Sequence, residues 1–370
     1  MMEAGLTRGE DMPPANRPGA GCVGRTRGDV CLQEGVMRSP APEPRDDLAE
    51  IVQRGHGLGR GARSPVAIPW RGWRQVLGRT WREIISDRVS LAAAGSAFFA
   101  TLALFPALSM LISLYGLIFD PATVEPQLEV LRDLLPPAAF ALIADRVHTL
   151  VSHGRAELGL SLLISTGVAL WSATTGTKSL IAALNLAYEE EESRGFLEYQ
   201  KTSLLITLCM VLGAILGLAL LVALPATISF LGLDAHARGL ARLGSTAVLV
   251  GFVLLALALL YRFGPSRQKA RWHWVTPGSM LATALWLVAS VLFSLYVVHL
   301  ASYDATYGPL GAVVGVMMWF WVSAYAVLVG AELNAELELQ TAEDTTTGQP
   351  RPIGKRGAFV ADNVVVDDKS

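Results

Sequence analysis

Between Val89 and Glu338 the sequence holds six stretches of about 19 to 32 residues without a single Asp, Glu, Lys or Arg. A helix of about 20 apolar residues crosses the roughly 30 Å hydrocarbon core of a bilayer. The pattern therefore predicts spans at about 90–119, 158–187, 203–231, 244–263, 275–300 and 309–338. The expected fold class is all-α, a polytopic six-helix transmembrane bundle with amphipathic interfacial helices and disordered tails.

Two shorter patterns flank the first span. In 67–87 (AIPWRGWRQVLGRTWREIISD), Trp70, Trp73, Val76, Leu77, Trp81, Ile84 and Ile85 gather near one helical face with arginines between them. A basic amphipathic helix with Trp lies along a headgroup layer, or else packs on the loops as a soluble helix would. The connection 120–157 repeats the pattern at Leu128, Leu131, Leu134 and Leu135, then at Phe140, Ile143, Val147 and Val151. Short helices forming a lid or a structural collar are expected there.

The ends differ in kind. Residues 1–66 are rich in Pro, Gly and Arg, lack periodic apolar positions and predict a disordered tail, as do residues 340–370. Such segments cannot bury enough surface to offset the entropy of ordering. That leaves 67–339 as the membrane domain. The N-terminus has no early apolar stretch of the signal-peptide kind, and Met37 is an alternative translation start.

Composition agrees with the hydropathy pattern. The chain is 52% hydrophobic and 17% charged, with a mean hydropathy of +0.42, whereas a soluble chain is about 25% charged. The net charge of -2 offers no field for nucleic acid. Its placement is more informative than its size. Arg71, Arg74, Arg79, Arg82 and Arg88 precede the first span and Arg262, Arg267, Lys269 and Arg271 join the fourth to the fifth, while the fifth-to-sixth connection has no Lys or Arg. Because Lys and Arg accumulate in cytoplasmic loops, a multi-pass protein of the bacterial inner membrane with both termini cytoplasmic is expected.

Candidate chemistry lies where the spans depart from apolar uniformity. Pro106, about 23 Å into the first span, removes a backbone hydrogen bond and marks a hinge or a packing kink. The second span is the most polar, with Ser172, Thr174, Thr175, Gly176, Thr177, Lys178, Ser179 and Asn185. Hydroxyls there bond across helices or back to their own carbonyls. Lys178 falls about 30 Å from the outer start of its span, and Glu332 about 34 Å from that of the last span. Similar depth predicts that they pair, with Asn334 beside them, unless Lys178 snorkels and Glu332 meets cytoplasmic water. Pro106, Thr174, Thr175, Thr177, Lys178, Glu332 and Asn334 are thus the candidate cavity or gating residues. Gly213 with Gly217, and Gly311 with Gly315, have the spacing of close helix crossings.

Other chemistries lack their signatures. Six histidines are scattered over tails, loops and helix ends, no HExxH, GxSxG or GxxxxGK[ST] pattern occurs, and Cys22, Cys31 and Cys209 form no disulfide framework. Neither catalytic residues, metal nor cofactor are expected.

Four segments carry a resemblance. AFFATLALFPALSML, LWSATTGTKSLIAALNLAYEEEESR, LLYRFGPSRQKARWHWVTPGSMLAT and YGPLGAVVGVMMWFWVSAYAVLVGAELNAELE, spread over about 70–340, resemble the YihY/BrkB family of bacterial membrane proteins. The resemblance implies a six-helix inner-membrane protein without an agreed activity. Members are linked by name to serum resistance and virulence, some to a mistaken ribonuclease BN label, and one branch to export of lipid A precursors. The long N-terminal tail departs from the family pattern and adds weight to the Met37 start. The expected function is a transporter or lipid translocator of the cell envelope, moving a lipid or small-molecule cargo among membrane lipids, with no nucleic-acid partner. A non-transporting envelope assembly factor is the alternative, and an enzyme the lesser one.

Overall fold

The structure is a computed structural model, described over residues 55–118, 155–218, 235–300 and 309–365. Among the described residues eight α-helices follow one another: α1 (Trp70–Ser86), α2 (Val89–Ile118), α3 (Arg155–Ala187), α4 (Phe196–Leu218), α5 (Ala235–Phe263), α6 (Trp272–Leu300), α7 (Pro309–Leu339) and the single turn α8 (Phe359–Asp362). No strand occurs among the described residues, and an isolated antiparallel bridge joins Ala270 to Thr346. The all-α expectation holds. The stretch 120–154, which holds most of the expected lid or collar, and residues 1–54 lie outside the described residues.

Among the described residues five helices are long and apolar enough to cross a membrane, over Val89–Ala107, Phe196–Gly217, Leu243–Phe263, Trp272–Tyr296 and Val313–Leu339. The expected second span corresponds to α3, 33 residues long, which is not among those five. The long helices leave large apolar side chains such as Leu163, Trp171, Leu212, Leu255 and Leu292 exposed. In water such a surface would be untenable, whereas in a bilayer it is the lipid contact.

Packing is arranged by small residues. α2 lies along α3, where a side chain on Gly95 would press on Ser179 and one on Gly176 on Phe99. Gly213 faces the Phe252 ring of α5, so that expected crossing is real. Gly311 and Gly315 have open space where their side chains would be and mark no crossing among the described residues. The tightest approach falls elsewhere. A Cβ on Gly278 of α6 would collide with the Gly330 carbonyl and Asn334, and one on Gly330 with the Gly278 carbonyl and the Tyr261 hydroxyl.

The main apolar core gathers at the α1 end of the bundle, where Ile84, Val89, Leu184, Tyr188, Leu260, Tyr261, Val275 and Leu328 are buried together. α1 turns Val76, Arg79, Thr80 and Ile84 inward and leaves Trp70, Leu77, Trp81 and Ile85 exposed beside Arg71, Arg74 and Arg82. That division suits a helix seated between protein and headgroups.

The two tails do not read as their composition suggests. Residues 55–66 and 340–365 are ordered and cap the α1 end, in place of the disorder expected for 1–66 and 340–370 over these parts. Thr341 donates to the Ala62 carbonyl at 2.7 Å and Gln340 to that of Leu58 at 2.7 Å. The Ala342 amide donates to the Arg60 carbonyl at 2.8 Å, and those of Arg271 and Thr347 knit the strap to the α5–α6 loop through Thr345 and Lys269 carbonyls. Arg356 donates to the carbonyls of Ala342, Glu343, Arg351 and Ala361. Its polar residues order the strap through bonds to backbone, which an apolar-burial criterion cannot register.

Candidate functional site

The end of α7 and the residue after it, 331–340, read AELNAELELQ, with a polar residue at every second position. At 100° per residue these point in different directions, and each meets a different part of the cap. Glu336 receives the Arg79 Nε of α1, while Arg79 Nη2 also reaches the Glu336 carbonyl at 3.1 Å and the Gln340 side chain at 2.8 Å. Glu338 accepts Arg267 Nη2 at 2.7 and 2.8 Å and the Thr345 hydroxyl at 2.6 Å. Arg267 also lies 4.6 Å from the centroid of the Tyr188 ring.

Asn334 faces α6, where Pro277 lies inside the second turn. Proline removes the amide that would bond one turn back. Asn334 Oδ1 accepts the Gly278 amide at 2.7 Å and its Nδ2 donates to the Val275 carbonyl at 3.2 Å, so one side chain ties α7 to the proline turn of α6. On the Gly330 side, Tyr261 donates to the Val327 carbonyl at 2.6 Å.

Glu332 is different. It is 2% exposed and its Oε1 has no hydrogen-bond partner. The charges that act on it most are carboxylates: Asp87 at the α1–α2 corner, Glu336, Glu83 of α1 and Glu189 at the end of α3. Burial, with Glu83 adding to it, lifts the Asp87 carboxyl above the usual range despite a Ser86 hydrogen bond. Burial lifts Glu189 too, reinforced by Asp87, Glu83 and Glu336. Both corners are made by non-glycine residues in the left-handed region, Arg88 at φ 50° and Glu189 at φ 56°, a conformation held only where the surroundings impose it.

Not all the candidate residues converge here. Among the described residues no ion pair joins Lys178 to Glu332. The Lys178 ammonium lies 5.7 Å from the Tyr199 ring centroid of α4, whereas Glu332 faces the Tyr188–Glu189 corner. Eleven residues of chain separate Lys178 from that corner, about 16 Å of helix, which a depth estimate on two separate spans could not register. Thr174, Thr175 and Thr177 donate to their own i−4 carbonyls at 2.6, 2.9 and 3.1 Å. Thr177 also meets Thr207 of α4 at 2.8 Å. Pro106 is half-buried in α2, which continues past it to Ile118. Asp87 and Pro277 were not singled out by the sequence, and Arg267 was read for topology alone, because corner and loop residues carry no periodic signal. Among the described residues no group of three or more His, Cys, Asp or Glu is placed to hold a metal ion.

The strap adds a pH-sensitive contact. Glu190 accepts the Phe359 amide at 2.7 Å. Burial pushes its carboxyl up to about 7 from the ordinary 4.5, against the opposing pull of the Phe359 amide and Arg267. With the strap open the carboxyl returns toward 4.5, so the closed form holds the extra proton. Strap stability is therefore full below about pH 4.5 and declines as pH rises through about 7. Amide exchange of 357–362, corrected for its intrinsic pH dependence, is expected to lose protection over that window, and Glu190→Gln to flatten the response.

A profile of the family described as Virulence factor BrkB matches residues 80–353, from the middle of α1 into the strap. The chain belongs to the virulence factor BrkB family. It is similar to the ribonuclease-like protein YfkH of Bacillus subtilis (strain 168), 32% identical over 259 residues, 65% of this chain and 87% of that protein. It is also similar to UPF0761 membrane proteins: that of Alkalilimnicola ehrlichii is 28% identical over 66% of this chain and 54% of its own length. In Aliivibrio salmonicida the corresponding figures are 27%, 69% and 81%. The chain thus spans little more than half of the Alkalilimnicola relative. No solved structure matches. In this BrkB family chain the matched region holds the whole acidic corner.

Proposed function

We propose that this membrane protein of the BrkB family is a translocator in the bacterial inner membrane, moving a lipid or small-solute cargo of the envelope down a gradient or coupled to one. The observation that carries this reading is Glu332, buried without a partner for Oε1 near the end of an apolar span. An uncompensated charge at such depth is costly and is retained for ion or substrate pathways. The neighbouring Pro277–Gly278 step of α6, tied to α7 by Asn334, adds the Pro- and Gly-containing span that points to transporter binding sites. The arginines of α1 and the α5–α6 loop support a cytoplasmic side for the capped end and both termini.

Purified protein in proteoliposomes with a fluorescent phospholipid tests the reading. Wild type is expected to expose labelled lipid to an external quencher faster than empty vesicles do, and Glu332→Gln to fall to the empty-vesicle rate at equal protein content. Equal rates for wild type and empty vesicles, with solutes giving no flux either, sink translocation. The hydroxyls of α3, satisfied within their own helix, favour a second reading as an envelope assembly factor. That reading has wild type inert and Glu332→Gln harmless in cells. No enzyme activity enters either reading, and the basic residues serve topology rather than an RNA surface.

A further inference from the structure

We infer that Glu332, where α1, α2, α3 and α7 meet, binds a proton whose uptake and release accompany the transport cycle. The inference rests on the translocation reading above and names what couples to it.

The charges at this corner do not balance. Glu83, Asp87, Glu189 and Glu336 are the carboxylates bearing on Glu332, while Arg79 and Arg82 are the cations that act on Glu336. Arg79 is committed to Glu336 through Nε and to Gln340 through Nη2, while Arg82 turns its Nε to the exposed Gly78 carbonyl at 3.4 Å. Tyr188, which also feels Glu332, is a neutral phenol. Glu189 is exposed and Glu83 and Asp87 are half-buried, so water screens them, whereas Glu332 is 2% exposed, its Oε1 has no hydrogen-bond partner, and no ion pair to it occurs among the described residues. Charge buried without a counter-ion costs several kcal/mol or more, so Glu332 takes up a cation.

Geometry selects which one. No three carboxylates are placed to encircle a metal ion among the described residues, and the unpartnered group is a single oxygen, Glu332 Oε1. A proton needs no more than one oxygen. The step is a proton transfer from water to a carboxylate oxygen, with no other bond made or broken. Release leaves a negative charge facing four carboxyls, and repulsion then acts between α7 and the corners at Asp87 and Glu189. Two residues to one side of Glu332, Gly330 of α7 touches Gly278 of α6, and two residues to the other side Asn334 bonds the Gly278 amide. Movement at Glu332 is thereby transmitted to α6.

Infrared spectroscopy of the full chain in phospholipid nanodiscs reads the proton directly, through the C=O stretch of a protonated carboxyl, which is resolved from the carboxylate stretches. Wild type at about pH 7 is expected to show a band that is lost in Glu332→Gln and displaced in frequency in Glu332→Asp. The wild-type minus Gln difference removes the Glu190 contribution. A wild type without the band, or a band unchanged in either variant, overturns the assignment. If Glu332→Gln fails to fold, the Asp displacement decides alone. The spectra need no cargo, so a band on Glu332 together with silent proteoliposomes would reject translocation and leave the proton site standing.

Discussion

Replacing Arg267 with methionine is expected to destabilise the capped end of the bundle by about 3–5 kcal/mol, because it strands the Glu338 carboxylate in a buried site. The two side chains are 1% and 0% exposed. With Arg267 gone, Glu338 keeps only the Thr345 hydroxyl among its three bonds, and the Tyr188 ring loses the guanidinium stacked on it. The double variant Arg267→Met with Glu338→Leu removes both charges together. It is expected to recover most of the loss, since apolar groups of similar volume replace a buried pair at little or no cost. Unfolding of the detergent-solubilised protein by a denaturing detergent, followed by tryptophan fluorescence, measures both. A single variant within about 0.5 kcal/mol of wild type would show that the pair is not isolated from water.

The second large effect concerns the crossing of α6 and α7. Gly278→Ala is expected to cost about 1–3 kcal/mol or more by overpacking, and Gly330→Ala a similar amount. The new methyl meets backbone in each case, the Gly330 carbonyl in one and the Gly278 carbonyl in the other, and neither can rotate away. Relief requires the helices to separate, which lengthens the Asn334 bonds to Gly278 and Val275 and the Tyr261 bond to Val327. Gly311→Ala is the matched control. Nothing lies near its added methyl, and alanine is the better helix former by up to about 1 kcal/mol. The same unfolding measurement should therefore rank Gly311→Ala at or above wild type and the other two well below. Equal effects at all three positions would refute the close crossing.

Both effects fall at residues whose local sequence is unremarkable. Gly278 follows Pro277 in a stretch that reads as the start of an apolar span, and Gly330 stands between valine and alanine near the end of another. The spacing rule pointed instead to Gly311 and Gly315, which have open space around them. Small-residue spacing records which faces permit approach, while the approach itself depends on which helix arrives. The same distinction separates Glu332 from Lys178. Each was legible as a charge out of place in an apolar helix, and Glu332 is buried beside an acidic corner. The pair expected of them does not form, because equal depth on two spans says nothing of which face each side chain takes.

What the sequence determined by itself is whatever depends on near-neighbours along the chain and on the solvent. Long charge-free runs require helices in lipid, since every backbone amide must be satisfied within its own segment. Arginine placement supplies the orientation proposed, and the interleaved Trp and Arg of α1 appear in the structure as one exposed and one buried face. Tertiary structure decided the rest. It brought Glu83, Asp87, Glu189, Glu332 and Glu336 together from helices up to about 250 residues apart in sequence. It also folded a polar C-terminal segment into an ordered cap. These outcomes rest on hydrogen bonds and charges between distant segments, whose energies depend on distance and burial and leave no periodicity to read.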